Sequence, residues 1–521
     1  MSDLLIKLSL LILFFGVMIA IGLSCRHHAN NVAGFVLGGR SVGPWLTAFA
    51  YGTSYFSAVV FVGYAGQFGW KYGIAATWAG IGNAILGSLL AWAVLGRRTR
   101  VMTQHLNSAT MPQFFAARFQ SRGMKLASSA IIFIFLIPYT ASLYNGLSRL
   151  FGMAFHIDYA VCVIVMAVLT GVYVIAGGYM ATAINDFIQG IIMIVGICAV
   201  IGAVLKGQGG FLAALDSLAK VSDPATSTTP GVFASFFGPD PVGLLGVVLL
   251  TSLGTWGLPQ MVQKFYAIRS EKAIDKGMII STLFAFVVAG GCYFLGGFGR
   301  LFSTPELVAA NGYDSIIPSM LEGLSSFLIA VVVILVLSAS MSTLSSLVLA
   351  SSSTLTLDFI KDTMVKDMQE KRQVQVMRLL IVVFIAISVV LALIQYNSSV
   401  TFIAQLMGVS WGALAGAFLA PFLYGLYWKR TSKAACIVCF VFSTVVMLAN
   451  IFVGSYFPAI LRSPINAGAF CMLAGLVIVP VVSLLTPAPE EKHIAQVFSC
   501  YERTVVVKVK DSIGEQTDNA L

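Results

Sequence analysis

The chain has 521 residues, of which 58% are hydrophobic and 10% charged, and its mean hydropathy is +0.91. Soluble domains carry about 25% charged residues, so a water-facing globule of this length could not cover its surface from such a supply. That excludes a soluble enzyme, a nucleic-acid binder and a disordered hub, and leaves the formal charge of +10 to be explained by where the basic residues lie.

Apolar stretches of about 20 residues, each enough to cross a bilayer core of about 30 Å, recur from end to end. Taken in order they predict thirteen spans, near 4–24, 42–66, 75–96, 126–148, 159–177, 181–205, 241–258, 277–299, 324–357, 376–396, 400–424, 433–456 and 465–486. The first run has no small-residue cleavage site and reads as a retained helix. The connecting loops alternate in charge: 24 of the 31 Lys and Arg fall on one side, Lys264 among them. Cytoplasmic loops carry the basic excess, so the expected topology is N-terminus outside and C-terminus inside, in a plasma membrane such as a bacterial inner membrane. The outer loops 206–240 and 300–323 should hold short helices and turns. A transmembrane domain over 1–486 is then followed by a polar cytoplasmic tail over 487–521, too short for an appended enzyme domain.

Polar or Gly/Pro interruptions within spans are where function is sought, because broken helix in hydrocarbon is tolerated only where it lines a cavity or is buried in protein. The second span holds Gly52-Thr53-Ser54-Tyr55-Phe56-Ser57, and the seventh holds Thr251 to Pro259 with Gly257 and Pro259 weakening the helix. Each interruption opens a block of five spans, 42–205 and 241–424. Five is odd, so the second block enters the membrane from the opposite side, the pattern of an inverted-repeat transporter. Helix packing through small residues accounts for either segment alone, but less readily for the matched pair. The ninth span carries Ser338 to Ser346, in which Ala339, Ser342 and Thr343 share one face at i, i+3, i+4, and Ser342, Ser345 and Ser346 share an overlapping one. Such hydroxyls supply hard oxygens for a small alkali cation, or else bond back to their own helix. Asp186 lies just inside the sixth span, where a carboxylate is either functional or interfacial. No phosphate-binding loop, HExxH or nucleophile elbow occurs, so neither an enzyme nor an ATP-driven pump is expected.

Several stretches in order resemble the sodium:solute symporter family, the group of bacterial proline and pantothenate permeases and sodium/glucose transporters. They are Leu37 to Pro44, Gly177-Gly178-Tyr179-Met180 leading to Asp186 and Gln189, Trp256-Gly257-Leu258-Pro259 followed by Lys264-Phe265, and Met341 to Ser345. The resemblance implies an all-α integral membrane protein of LeuT-like fold, with two inverted five-helix repeats, one helix before them and two after. It implies a main sodium site from carbonyls of Thr53, Phe56 and Ala339 with hydroxyls of Ser342 and Thr343. A second sodium site, present in some members, would match Asp186 with Ser342, Ser345 and Ser346. Solute contacts are expected from Ser57, Ala58, Tyr139, Gly254, Thr255 and Trp256.

The expected activity is sodium-coupled import of a small polar solute. Proline permeases carry an acidic residue where this chain has Tyr55, and a Trp near Val59, while 256–280 is similar to the pantothenate permeases. A small organic anion, pantothenate or a monocarboxylate, is therefore expected ahead of a proline-like amino acid, a sugar, or an uncoupled channel or sensor. The expected partners are the solute, Na+ and the lipid bilayer, with no nucleic acid and no obligate protein partner.

Overall fold

The computed structural model describes residues 3–155, 157–365, 367–397 and 403–502. Among them the regular structure is helical throughout, and the only β contacts are isolated bridges, Val42 with Ile268 and Asp223 with Ser227. In chain order the long elements are α1 (Asp3–Ser24), α2 (Pro44–Tyr55), α3 (59–72), α4 (77–105), α5 (Arg122–Phe155), α6 (159–177), α7 (179–207), α8 (Pro241–Gly257), α9 (Pro259–Ala267), α10 (Lys272–Gly296), α11 (Ser326–Thr363), α12 (Glu370–Asn397), α13 (Ile403–Tyr427), α14 (Lys433–Val453) and α15 (Pro464–Leu485). Short helices at Phe211–Ala219, Pro305–Asn311 and Ile316–Leu321 occupy the two long loops, as their turn-rich sequence predicts.

Among the described residues, ten helices are long and apolar enough to cross a membrane, or eleven with the bent pair α8–α9 taken as one span. The expected count of thirteen differs because 59–105 and 159–207 run unbroken by that measure for 47 and 49 residues, more than twice the ~20 that a bilayer takes. Each contains a glycine at a backbone angle that side chains disfavour, Gly73 at φ 61 and Gly178 at φ 55, so the chain turns there without a polar loop to announce it.

Burial sorts the helices into layers. Within the apolar window of each span, 94% of α13 and 72% of α11 is buried, against 22% of α1 and 33% of α12 and α14. The first pair forms the middle of the bundle, and the others present apolar faces outward, where lipid takes the place of core. Lys264, which charge alternation assigns to a basic loop, is instead 2% exposed inside the bundle, because the bend after Leu258 directs α9 inward. The described part of the segment after 486 packs back against the bundle. Its helix Glu491–Phe498 lies along α4, with Gln496 O 2.9 Å from the His105 ring and the Tyr501 hydroxyl donating to Arg98 O at 3.1 Å. The basic tail residues Arg503, Lys508 and Lys510, like Lys366, lie outside the described residues.

Helices come closest at glycines. A Cβ on Gly69 of α3 would stand 1.8 Å from Gly296 O of α10, and one on Gly296 would stand 2.1 Å from Ala65 O. Backbone meets backbone there, so no side chain can swing aside. Gly69→Ala should therefore cost at least the usual overpacking penalty of about 1–3 kcal/mol, read as a lower melting temperature and lost monodisperse protein on size exclusion. Gly16→Ala, where nothing lies within 4 Å, should leave both readings unchanged.

Candidate functional site

Two extended residues break otherwise helical spans. Phe56 (φ −93, ψ 117) ends α2, and Leu258 (φ −77, ψ 124) separates α8 from α9 at a 46° bend. Leu258 precedes Pro259, whose ring disfavours the α conformation of its neighbour. A helix end leaves its last carbonyls without amide partners, and hydrocarbon offers no water to replace them. In α2 the Gly52 carbonyl takes the Phe56 amide, while Thr53 O and Phe56 O turn toward α11.

There they meet the two hydroxyls expected from the sequence. Ser342 Oγ lies 3.1 Å from both Thr53 O and Ala339 O. Thr343 Oγ1 lies 3.1 Å from the same two oxygens and 3.4 Å from Phe56 O. All five residues are buried. Each hydroxyl has one proton, so two protons are shared among five oxygens and the cluster is short of positive charge. Its spacing also suits a cation: oxygens about 2.4 Å from a common ion, 80–90° apart, stand roughly 3.1–3.4 Å from each other.

The second expected set does not assemble in the same way. Asp186 is fully buried on α7, but Ser345 Oγ donates to its own helix at Ser342 O, 2.8 Å away, and Ser342 Oγ faces the first cluster. Ser346 is linked to Asp186 through Lys264, which lies within hydrogen-bond reach of the one and ion-pair reach of the other. Lys264 Nζ lies 3.0 Å from Ser346 Oγ, 4.0 Å from Asp186 Oδ2 and 5.1 Å from the Tyr179 ring centre. Ser346 Oγ in turn lies 2.7 Å from Ser54 Oγ of α2.

Beyond the break, Ser57 O accepts the Val60 and Phe61 amides, which leaves the Ala58 and Val59 amides ahead of the first helical bond. Against this helix start packs a cluster of aromatic and hydroxyl side chains. The Trp411 ring of α13 stands 5.8 Å from Tyr55 and 5.9 Å, edge to face, from Tyr139. The Tyr139 hydroxyl lies beside the Ser57 hydroxyl and the Trp411 indole, yet no hydrogen bond of normal geometry closes among the three. The hydroxyls of Tyr55, Tyr64 and Tyr293 are likewise buried and unbonded. Native interiors pair the great majority of such groups, so their concentration at one place marks a site for a polar guest.

The structure brings Ser57, Ala58 and Tyr139 together here, with Gly254 beneath Trp411, where a Cβ would stand 2.4 Å from the indole. It does not bring Thr255 and Trp256. Thr255 Oγ1 lies 2.9 Å from Gly87 O, and Trp256 Nε1 donates to Leu86 O at 2.9 Å, so both are turned to α4. Trp411 is the residue that sequence reasoning passes over. Its signal is a Trp between Ser410 and Gly412 in mid-span, where small neighbours leave room for a large ring. On the side of the 206–240 loop, a cavity of about 420 Å³ is lined by Phe68, Lys71, Tyr72, Asp240, Arg300 and Tyr313 among others. Phe68 is packed on Tyr64 at 4.8 Å and stacked on Tyr293 at 6.5 Å, so its ring separates that cavity from the tyrosine cluster.

Comparison with known proteins bears on the same features. The chain is 28% identical to a sodium/proline symporter of Staphylococcus aureus over 439 residues, 81% of each sequence. It shares its fold with a Na+-coupled sialic acid symporter solved in a substrate-bound outward-open state, with a TM-score of 0.71 at 15% identity over 93% of this chain and 99% of that one. A sequence model of the sodium:solute symporter family matches residues 35–442, well over half the length. The chain belongs to the sodium:solute symporter family and is a sodium-coupled membrane transporter, not an enzyme.

Proposed function

We propose that this transporter imports a small carboxylate-bearing solute, such as pantothenate or a monocarboxylate, across a bacterial inner membrane. Sodium is held by Thr53, Phe56 and Ala339 carbonyls and by Ser342 and Thr343 hydroxyls. The observation that carries this reading is the adjacency of two deficits at one helix break: oxygens short of positive charge on one side of Phe56, and unbonded hydroxyls with free amides on the other. Sodium in the first would fasten α2 to α11 and so favour the arrangement in which the second accepts solute. Coupling requires that the ion bind the two arrangements differently, and a site shared between two helices has that property.

The solute site presents aromatic rings, hydroxyls and the Ala58 and Val59 amides. A carboxylate suits amides that open a helix, where the dipole favours negative charge. An amino acid would also need a counter-charge for its ammonium group, and the titratable side chains facing Tyr55 are tyrosines, none of them acidic. The resemblance to sodium/proline symporters favours a second reading, an amino acid such as proline. The basic loops set the orientation, N-terminus outside.

Two experiments test these statements. Purified protein should be stabilised against heat by pantothenate or lactate in sodium but not in potassium, and proteoliposomes should concentrate that solute inward against its gradient. Stabilisation by proline or glucose instead, or flux without accumulation, would replace the solute or the coupling. In the same uptake assay, Ser342→Ala and Thr343→Ala should each raise the half-saturating sodium about tenfold, equivalent to ~1.4 kcal/mol, at unchanged expression. Trp411→Ala should raise the half-saturating solute concentration about tenfold or more, whereas Trp256→Phe should leave it as in the wild type.

A further inference from the structure

We propose that the ammonium group of Lys264 is the resident cation of the pocket formed by Asp186, Ser346 and Ser54, so that the transporter binds one sodium ion per chain rather than two. The inference rests on the main sodium site proposed above and concerns the second set of oxygens, which the sequence alone offers to a second ion.

A carboxylate buried without a counter-charge is among the most costly groups a protein can hold. Asp186 is 0% exposed, and neither of its oxygens has a hydrogen-bond partner. The cation facing it is Lys264, at 4.0 Å and itself 2% exposed. The ammonium is fixed from two further directions: it donates to Ser346 Oγ at 3.0 Å and lies over the Tyr179 ring at 5.1 Å, and Ser346 Oγ in turn lies 2.7 Å from Ser54 Oγ. An ion bound to both Asp186 and Ser346, with oxygens at the roughly 2.3–2.6 Å expected of a hard cation of this size, would lie against the lysine nitrogen. Two positive charges at that separation in a buried pocket exclude each other. The two other hydroxyls expected as ligands are engaged elsewhere, Ser345 on its own helix and Ser342 at the main cluster.

The lysine is a cation tethered to α9, so it neutralises Asp186 in every state and is never released with the solute. It also binds four helices at one point: α9 through itself, α7 through Asp186, α11 through Ser346 and α2 through Ser54. Ser54 follows Thr53, whose carbonyl belongs to the main cluster, so the tether sits one residue from the transported ion. Lys264 is thus a positioning residue for the sodium step and the determinant of how many ions are moved.

The test is a count of bound ²²Na+ on the purified full chain at saturation, alongside the reversal potential of solute flux in proteoliposomes. Wild type should bind one ion with a Hill coefficient near one and carry one ion per solute. Lys264→Met removes the charge at similar volume and exposes Asp186, so that variant should bind two ions. Adding Asp186→Asn to it should return the count to one. Two ions on the wild type overturn the proposal, as does a single ion on a Lys264→Met protein that keeps its size-exclusion profile; Lys264→Gln serves if the first variant does not fold, and the wild-type count decides without either. A count of zero, unchanged by Thr343→Ala, is the distinct failure of the main sodium site.

Discussion

A backbone carbonyl inside a bilayer must find a partner within the protein, and the arrangement of this transporter follows from where that demand is not met by helix. At Phe56 the chain is extended for one residue, and the carbonyls on its near side are freed at the depth of α11. The serine and threonine of α11 answer them from the enclosed middle of the bundle. A transport site needs a place where a cation is wanted but not permanently supplied. Five oxygens sharing two hydroxyl protons meet that description.

Charge is handled by the opposite device. Asp186 and Lys264 are each too costly to bury alone, and each makes the other tolerable. The pair stands at the crossing of four helices, beside the broken segment. In the proposed reading the first cluster leaves its positive charge to a diffusible ion, whereas the second carries its own. Arg300, at the far end of the bundle, shows the same economy: it lies between the Trp70 and Phe233 rings and is bonded to Asp223 and Trp70 O. A guanidinium so engaged pins the 206–240 loop over the mouth of the 420 Å³ cavity.

The aromatic cluster proposed for the solute differs from both in holding no formal charge among the titratable groups that face Tyr55. Its polarity comes from hydroxyls, an indole N–H and two helix-start amides. These are directional groups with small desolvation cost, suited to a guest that must leave again. Phe68 closes the cluster toward the cavity by packing on Tyr64 and Tyr293.

The class of the protein and the location of its breaks were determined by sequence alone. Composition admits only lipid as the surrounding solvent, and Gly257 with Pro259 interrupts a helix wherever it is placed. The i, i+3, i+4 spacing of Ala339, Ser342 and Thr343 puts their oxygens on one face in any helix. What tertiary structure decided are the matters that depend on the rotation and tilt of one helix against another, which no local pattern encodes. Thr255 and Trp256 were turned to α4, and Trp411, distant in sequence, took the place at Tyr55 and Tyr139. Lys264, which reads as one more basic loop residue, was carried by a 46° bend into contact with Ser346 and Asp186. Hydrophobicity is a property of a segment, but a partner is a property of two segments brought together, and only the packed bundle specifies the second.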